Sequence, residues 1–364
     1  MQGASAAEEG GLLDSQPARI LRPILGLIAI VAAFGWSTGF MRDPNAPAWQ
    51  LLLVALAVGV LGVWTLFFLA NDLVSRFPRV WAERIRPYIF VGPALLLLFA
   101  YLIFPTIQTL YFSFLDARSQ RWVGWQNYQF AFTDRTMLIA FRNNLLWLLL
   151  VTGISVSLGL IIAVLVDRVR WEPLAKSLIF LPMAISFVGA SVIWRFVYAF
   201  QPPGRPQIGL LNAIWTRLGG DPIGWLQTQP LNTLALIVIM IWLQTGFCMV
   251  ILSAAVKSVP SELLEAARID GANEIEIFFQ VILPYVSKTI MTVATTVVIL
   301  VLKVFDIVYV MTSGQFGTEV IANRMYSEMF RFRHFGRGSA LAVILLIAVI
   351  PVMIGNIRSW RRAQ

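Results

Sequence analysis

The sequence predicts an all-α membrane protein with about eight transmembrane helices, and three observations lead there. Of 364 residues, 58% are hydrophobic and only 13% are charged. Mean hydropathy is +0.76, which excludes a soluble globule. Seven stretches run 18 or more residues without Asp, Glu, Lys or Arg: 23–41, 44–71, 87–115, 143–166, 177–194, 222–256 and 338–357. At about 1.5 Å per residue, each crosses roughly 30 Å of bilayer hydrocarbon as a helix. An eighth stretch, 289–318, fits the same description apart from Lys303 and Asp306, and reads as a span carrying buried charge.

Taken in order, residues 1–22 hold Glu8, Glu9, Asp14, Arg19 and Arg22 among Gly and Ala, and read as a short, poorly ordered cytoplasmic tail. No small-residue cleavage site closes the first apolar run, so it reads as a retained helix and not as a signal peptide. The second span ends before a short loop with Arg76, Arg79, Arg84 and Arg86. An excess of basic residues marks the cytoplasmic side. That places the loop and, with eight spans, both termini in the cytoplasm. Cytoplasmic segments then collect 15 of the 28 Lys and Arg, against 12 outside and Lys303 within a span. The outer segments, about 116–142, 195–221 and 313–337, are too short for an inserted domain. Gly153, Ser155, Ser157 and Gly159 give the fourth span a surface on which helices can pack closely, although they could instead face a pathway.

Several function classes are excluded. The single Cys, Cys248, cannot make an intrachain disulfide, and the single His, His334, cannot build a multi-histidine metal site. His334 lies among Arg331, Arg333 and Arg337 and reads as part of a solvated basic loop. No GxxxxGK[ST] loop is present, so ATP and Mg would bind another chain. No catalytic residue and no metal ligand set is expected. The net charge of +9 comes from Arg and Lys scattered at span ends, not from a stripe fit for nucleic acid.

The informative segment is VPSELLEAARIDGANEIEIFFQVILP, 259–284. It reads as two short helices. Ser261 would cap the first, with Glu262 and Glu265 in its first turn, where the helix dipole favours carboxylates. Gly271 would stop it in the left-handed conformation. Asn273 and Glu276 have the spacing of a capping box for the second, which Ile282, Leu283 and Pro284 lead back to the membrane. On the residues alone, this is either an ordinary surface helix pair or a docking device that passes rigid-body motion to the adjacent spans.

The spacing of Glu265, Ala266, Ala267, Gly271, Val281, Leu283 and Pro284 resembles the EAA motif of importer permeases of the ATP-binding-cassette superfamily, with Val281 where Ile is usual. Ile269, Asp270, Gly271 and Ala272 resemble the continuation found in sugar permeases. The likeness extends from about residue 88 to the C-terminus. It takes in Pro105, Ser113, Phe114 and Asp116, then Gly124, Asn127, Tyr128, Ala140 and Asn143, then Leu181, Pro182, Trp194 and the stretch 209–212. It continues through KVFDIVYVMTSG, 303–314. SGQFGTEV, 313–320, departs from the usual Gly-Gly-Pro turn and resembles the alpha-glucoside permeases.

The resemblance implies a six-helix permease core over 87–364, with 259–284 as the loop that docks in a cleft of the ATPase. Residues 23–86 would add two helices and the basic loop, as in the larger subunit of a maltose-type importer. It further implies a second permease as heterodimer partner, two ATPase subunits, an extracytoplasmic sugar-binding protein, and residence in the bacterial inner membrane.

Lys303 and Asp306, three apart on one helix, would face each other and pair. The pair could fix helix packing or shape the sugar path, and packing is the more ordinary role. A neutral sugar offers no charge to grip, so stacking and directional polar groups must select it. Asn232, Gln244, Thr245, Thr292, Thr295, Thr296 and Tyr309 are polar groups in the later spans that could do this, or could serve as interhelical glue. An importer for another small solute is the nearest alternative. An ion-coupled secondary transporter is weaker, because Asp306 is the only clear intramembrane carboxylate.

Overall fold

The computed structural model describes residues 16–167 and 169–361. Most of the predicted tail lies outside the described residues, and its last part, 16–22, belongs to the first helix, Gln16–Phe40 (α1). Among the described residues there is no strand, only one isolated bridge between Leu115 and Trp122. The chain divides into two compact units, Met1–Thr106 and Ile107–Gln364. The division falls inside the third span, later than the basic loop.

The first unit holds α1, the helix Ala48–Ser75 (α2) and most of Arg79–Phe112 (α3). Glycines set the approach of α1 to α2. A Cβ on Gly26 would lie 2.7 Å from Leu69 Cδ1, and one on Gly62 would lie 3.1 Å from Phe34 Cζ. α3 carries a π-turn at Phe99–Ile103, two residues before Pro105. The same arrangement recurs in the second unit, where Phe278–Ile282 precedes Pro284. A proline within a helix has no N–H and crowds the carbonyl four residues back, and a widened turn relieves both.

The second unit runs Gln126–Thr133 (α4), Arg135–Val166 (α5), Glu172–Ala184 (α6) and Phe187–Val197 (α7), Leu210–Arg217 (α8) and Leu231–Lys257 (α9). Then follow Ser261–Ile269 (α10), Glu274–Leu302 (α11), Asp306–Met311 (α12), Ile321–Tyr326 (α13) and Phe335–Arg361 (α14). α9 is the central helix, packed on α5, α6 and α11. Its buried side chains include Leu236, Ile239, Met240, Leu243, Met249 and Leu252. A Cβ on Gly159 would lie 2.5 Å from Cys248 Cβ, and one on Gly246 would lie 2.5 Å from the Ile179 carbonyl oxygen, so both glycines are required by close approach. Ser155 is also buried, whereas Gly153 faces open space. The small residues of this span therefore divide between packing and an open face.

Among the described residues, seven helices are long and apolar enough to cross a membrane, eight if α6 and α7 count as one broken span. The run 177–194, expected as a straight helix, is instead bent by 100° between α6 and α7. Pro182 forces a short 3-10 turn, and the Ser186 hydroxyl restarts the helix by accepting the Gly189 N–H at 3.0 Å. The run 289–318 is not one span either. It is the end of α11, a break at 303–305, and α12 followed by turns. At the α10 end, Lys257 bridges Asp167 at 3.2 Å and Glu172 at 2.6 Å, tying together the ends of α5, α6 and α9.

Candidate functional site

The first candidate site is the loop between α9 and α11. Its sequence folds locally. The Ala272 N–H bonds the Ala267 carbonyl at 3.0 Å and the Gly271 N–H bonds the Arg268 carbonyl at 3.1 Å. This is a Schellman ending to α10, with Gly271 at φ +85°. Asn273 Oδ1 accepts the N–H groups of Ile275 and Glu276, each at 3.0 Å, while Glu276 Oε2 accepts the Asn273 N–H at 2.7 Å. The expected capping box is therefore present. Two expectations need correction. Pro260, not Ser261, occupies the cap position of α10, and no side chain caps it. The second short helix is not separate: Glu274–Ile277 runs through the π-turn into α11 as one helix.

The loop has two faces. Leu264, Ala267, Ala272, Val281 and Leu283 pack against the core. Glu265, Ala266, Asp270, Gly271 and Pro284 are exposed, and so is Ile269, at 86%. Arg268 Nε reaches Glu274 Oε1 at 3.2 Å and stiffens the turn. The Tyr285 hydroxyl donates to the Ser258 carbonyl at 3.2 Å, closing the loop on the end of α9. The result is a short, rigid ridge whose outward face combines carboxylates with small and apolar side chains. Such a ridge can seat in a groove and carry its motion into α9 and α11, the two spans that flank it.

The second candidate site is a cavity of about 480 Å³ between the α6–α7 bend, α9, α11 and α12. Three of the predicted path residues, Gln244, Thr296 and Asp306, line it. Gln244 has no hydrogen-bond partner among the described residues, so its amide keeps its full donor and acceptor capacity at the cavity wall. Thr296 Oγ donates to the Thr292 carbonyl at 3.0 Å and keeps lone pairs to accept. Asp306 also borders a smaller cavity of about 160 Å³, with Lys303 on its wall. The expected Lys303–Asp306 pair is not formed among the described residues. α11 ends at Leu302, and Lys303 (φ −105°, ψ 25°) leaves the helix, so the two side chains no longer share a helical face.

The other predicted residues are held elsewhere. Asn232 donates to the Phe316 carbonyl at 2.8 Å and accepts the Thr233 N–H at 2.8 Å. Thr245 donates to the Ile241 carbonyl at 2.7 Å. Thr292 and Thr295 likewise donate to carbonyls one turn back, Lys288 at 3.1 Å and Met291 at 2.8 Å. The ring centroid of Tyr309 lies 5.1 Å from that of Phe305 and 5.2 Å from that of Tyr326, within an aromatic cluster. Residue-by-residue reading missed Ser186, Phe187 and Phe247, which complete the cavity wall with Met183. Pro182 followed by a cap-forming Ser186 was the signal available for the bend.

Residues 155–358 match the family described as binding-protein-dependent transport system inner membrane component. GgtC of Synechocystis sp., an osmoprotective compounds uptake permease protein, is 67% identical over 275 residues, 76% of this chain and 99% of that protein. AglF of Rhizobium meliloti, an alpha-glucoside transport system permease protein, is 46% identical over 346 residues, 95% of this chain and 97% of that one. In structure, a chain of a bacterial ABC transporter involved in import of the acidic polysaccharide alginate superposes with a TM-score of 0.67 at 20% identity, covering 79% of this chain and all of that one.

Proposed function

Because the chain belongs to the inner membrane components of binding-protein-dependent transport systems, and is a multi-pass transport subunit rather than an enzyme, we propose that it carries a small neutral glucoside inward by alternating access. The observation that carries this reading is the cavity. It is lined by Gln244, Thr296 and Asp306 among apolar and aromatic side chains, with no Lys or Arg on its wall. A volume of about 480 Å³ lies within the range that holds small-molecule ligands. Amide and hydroxyl groups select a polyol by direction, and Phe187 and Phe247 offer apolar faces to sugar rings. The name of AglF, an alpha-glucoside transport system permease protein, points the same way, and that of GgtC points to osmoprotective compounds.

In this reading ATP and Mg are held by two partner ATPase subunits. Glu265, Ala266, Ala267, Asp270 and Gly271 dock on one of them, with Leu283 and Pro284 anchoring the return into α11. A second permease completes the pathway, and an extracytoplasmic binding protein delivers the sugar. The four-Arg loop at 76–86 faces the cytoplasm, and so do both termini. Gln244, Thr296 and Asp306 meet the solute, while Asn232, Thr245 and Tyr309 hold the surrounding helices.

Uptake of labelled trehalose, sucrose, maltose and a charged control solute by cells carrying the full transporter tests the reading. ATP-dependent uptake of an alpha-glucoside is expected. Uptake of only the charged solute would overturn the sugar assignment and leave the importer architecture standing. Uptake without ATP would overturn the importer reading itself.

A further inference from the structure

A second polar cavity, of about 530 Å³, opens in the second unit where α3 finishes at Phe112 and α14 begins at Phe335. Its wall carries Arg118, Arg121 and Arg337 against a single carboxylate, Asp116. None of the three arginines makes an ion pair among the described residues. The Asp116 carboxylate is already engaged, accepting the N–H groups of Gln120 at 2.8 Å and Arg118 at 3.2 Å.

The walls are fixed. The Phe335 N–H bonds the Ala117 carbonyl at 3.0 Å. Asn127 Nδ2 donates to the carbonyls of Ser113 at 2.9 Å and Leu115 at 2.7 Å. The Arg337 guanidinium stands 4.0 Å from the centroid of the Phe130 ring, which orients it. Around the cavity lie Tyr111, Trp122 and Trp125, exposed at 56%, 64% and 72%. Exposed aromatic rings at the ends of spans mark the level of lipid headgroups. Asp116 lies four residues beyond the end of α3 and Arg337 is the third residue of α14, so the cavity borders the ends of two helices long and apolar enough to cross a membrane.

We propose that this cavity binds the anionic headgroup of a phospholipid, with its acyl chains lying along the exposed apolar side chains at the adjoining span ends. A docked protein could also bring carboxylates to these arginines. The aromatic rim and the position at the ends of two apolar helices favour lipid.

The test uses the assembled transporter in phosphatidylcholine nanodiscs titrated with phosphatidylglycerol, with bound lipid counted by native mass spectrometry. A basic residue at a membrane surface strengthens anionic binding about fivefold, so Arg118→Gln with Arg121→Gln is expected to weaken phosphatidylglycerol binding about thirtyfold. Arg205→Gln, an exposed arginine away from the cavity, is expected to leave it unchanged. Equal binding by wild type and the double variant would overturn the proposal. So would inorganic phosphate raising the thermal midpoint as much as the lipid does, which would make this a free-anion site. A double variant that keeps its lipid affinity but loses stimulation of ATP hydrolysis by the binding protein would assign the cavity to that protein instead.

Discussion

The loop between α9 and α11, proposed to dock on an ATPase, and the cavity are built in opposite ways. The loop takes every proposed docking residue from one contiguous segment, 259–284, and the turn at Gly271 follows from backbone bonds between residues three to five apart. The cavity draws its wall from side chains between Met183 and Asp306, on five helices and a bend. A contiguous device is robust to shifts elsewhere and sensitive to one backbone angle. A dispersed one is sensitive to every helix that frames it. Substitutions in the two places should therefore fail differently.

The largest effect is expected at Gly271. Its φ of +85° is closed to proline, whose ring holds φ near about −65°, and proline would also remove the N–H that bonds the Arg268 carbonyl. Gly271→Pro should abolish uptake while leaving the amount of chain in the membrane fraction unchanged. Gly271→Asn, which tolerates the left-handed region, should keep most of the uptake. Full uptake by the proline variant would end the docking reading.

The next effect separates the frame of the cavity from its lining. A methyl group on Gly246 would sit 2.5 Å from the Ile179 carbonyl, so Gly246→Ala forces α6 away from α9, at a cost of about 1–3 kcal/mol. Gly153→Ala meets nothing within 4 Å. The first should lower both the thermal midpoint of the purified transporter and its uptake, and the second neither. If both were neutral, the close approach of α6 to α9 would not set the cavity.

Gln244→Leu keeps volume near the wall but removes the free amide. Loss of one good hydrogen bond to solute is worth about 1.4 kcal/mol, so the half-saturating sugar concentration should rise about tenfold with the membrane level of the chain unchanged. Asp306→Asn should raise it by less, because an amide can still bond a hydroxyl. Normal assembly and normal uptake in that variant would take Asp306 off the path. Ser186→Ala, which loses the cap of α7 at the bend, should cost about 1 kcal/mol in thermal stability and little in affinity.

These differences also explain what could be read from the residues alone. The Schellman ending and the capping box were legible because Gly271, Asn273 and Glu276 act through their nearest neighbours in the chain. Six of the eight apolar stretches were legible as unbroken helices because charge-free length is itself the physical requirement. The break after Leu302 was not, since neither proline nor glycine marks it. It arises where Asn144 Nδ2 on α5 meets the Leu302 carbonyl at 3.4 Å, and where Asn144 Oδ1 accepts the Ile321 N–H at 2.9 Å, contacts more than 150 residues apart in sequence. For the same reason a list of polar residues within spans picked out Gln244, Thr296 and Asp306 along with Asn232 and Thr245. Polarity alone does not say which side chains tertiary contacts have already satisfied.

The smallest expected effect lies in the turn that follows α12. Glu319 is buried there, its carboxylate accepting from Asn323 Nδ2 at 2.5 Å and from the Val320 N–H at 3.2 Å. Burial pushes its pKa above the ordinary 4.5. The folded chain thus holds this proton more tightly than the unfolded chain does. The resulting stabilisation is complete below about 4.5 and is lost as pH rises from there through the raised folded value. Glu319→Gln keeps an acceptor for both donors but cannot ionise. The thermal midpoint of the variant should therefore fall less between pH 4.5 and neutrality than that of the wild type. An unchanged slope would mean that the carboxylate is ionised in place, balanced by Arg324 or Arg331 nearby, and that the turn tolerates charge where the cavity wall carries none beyond Asp306.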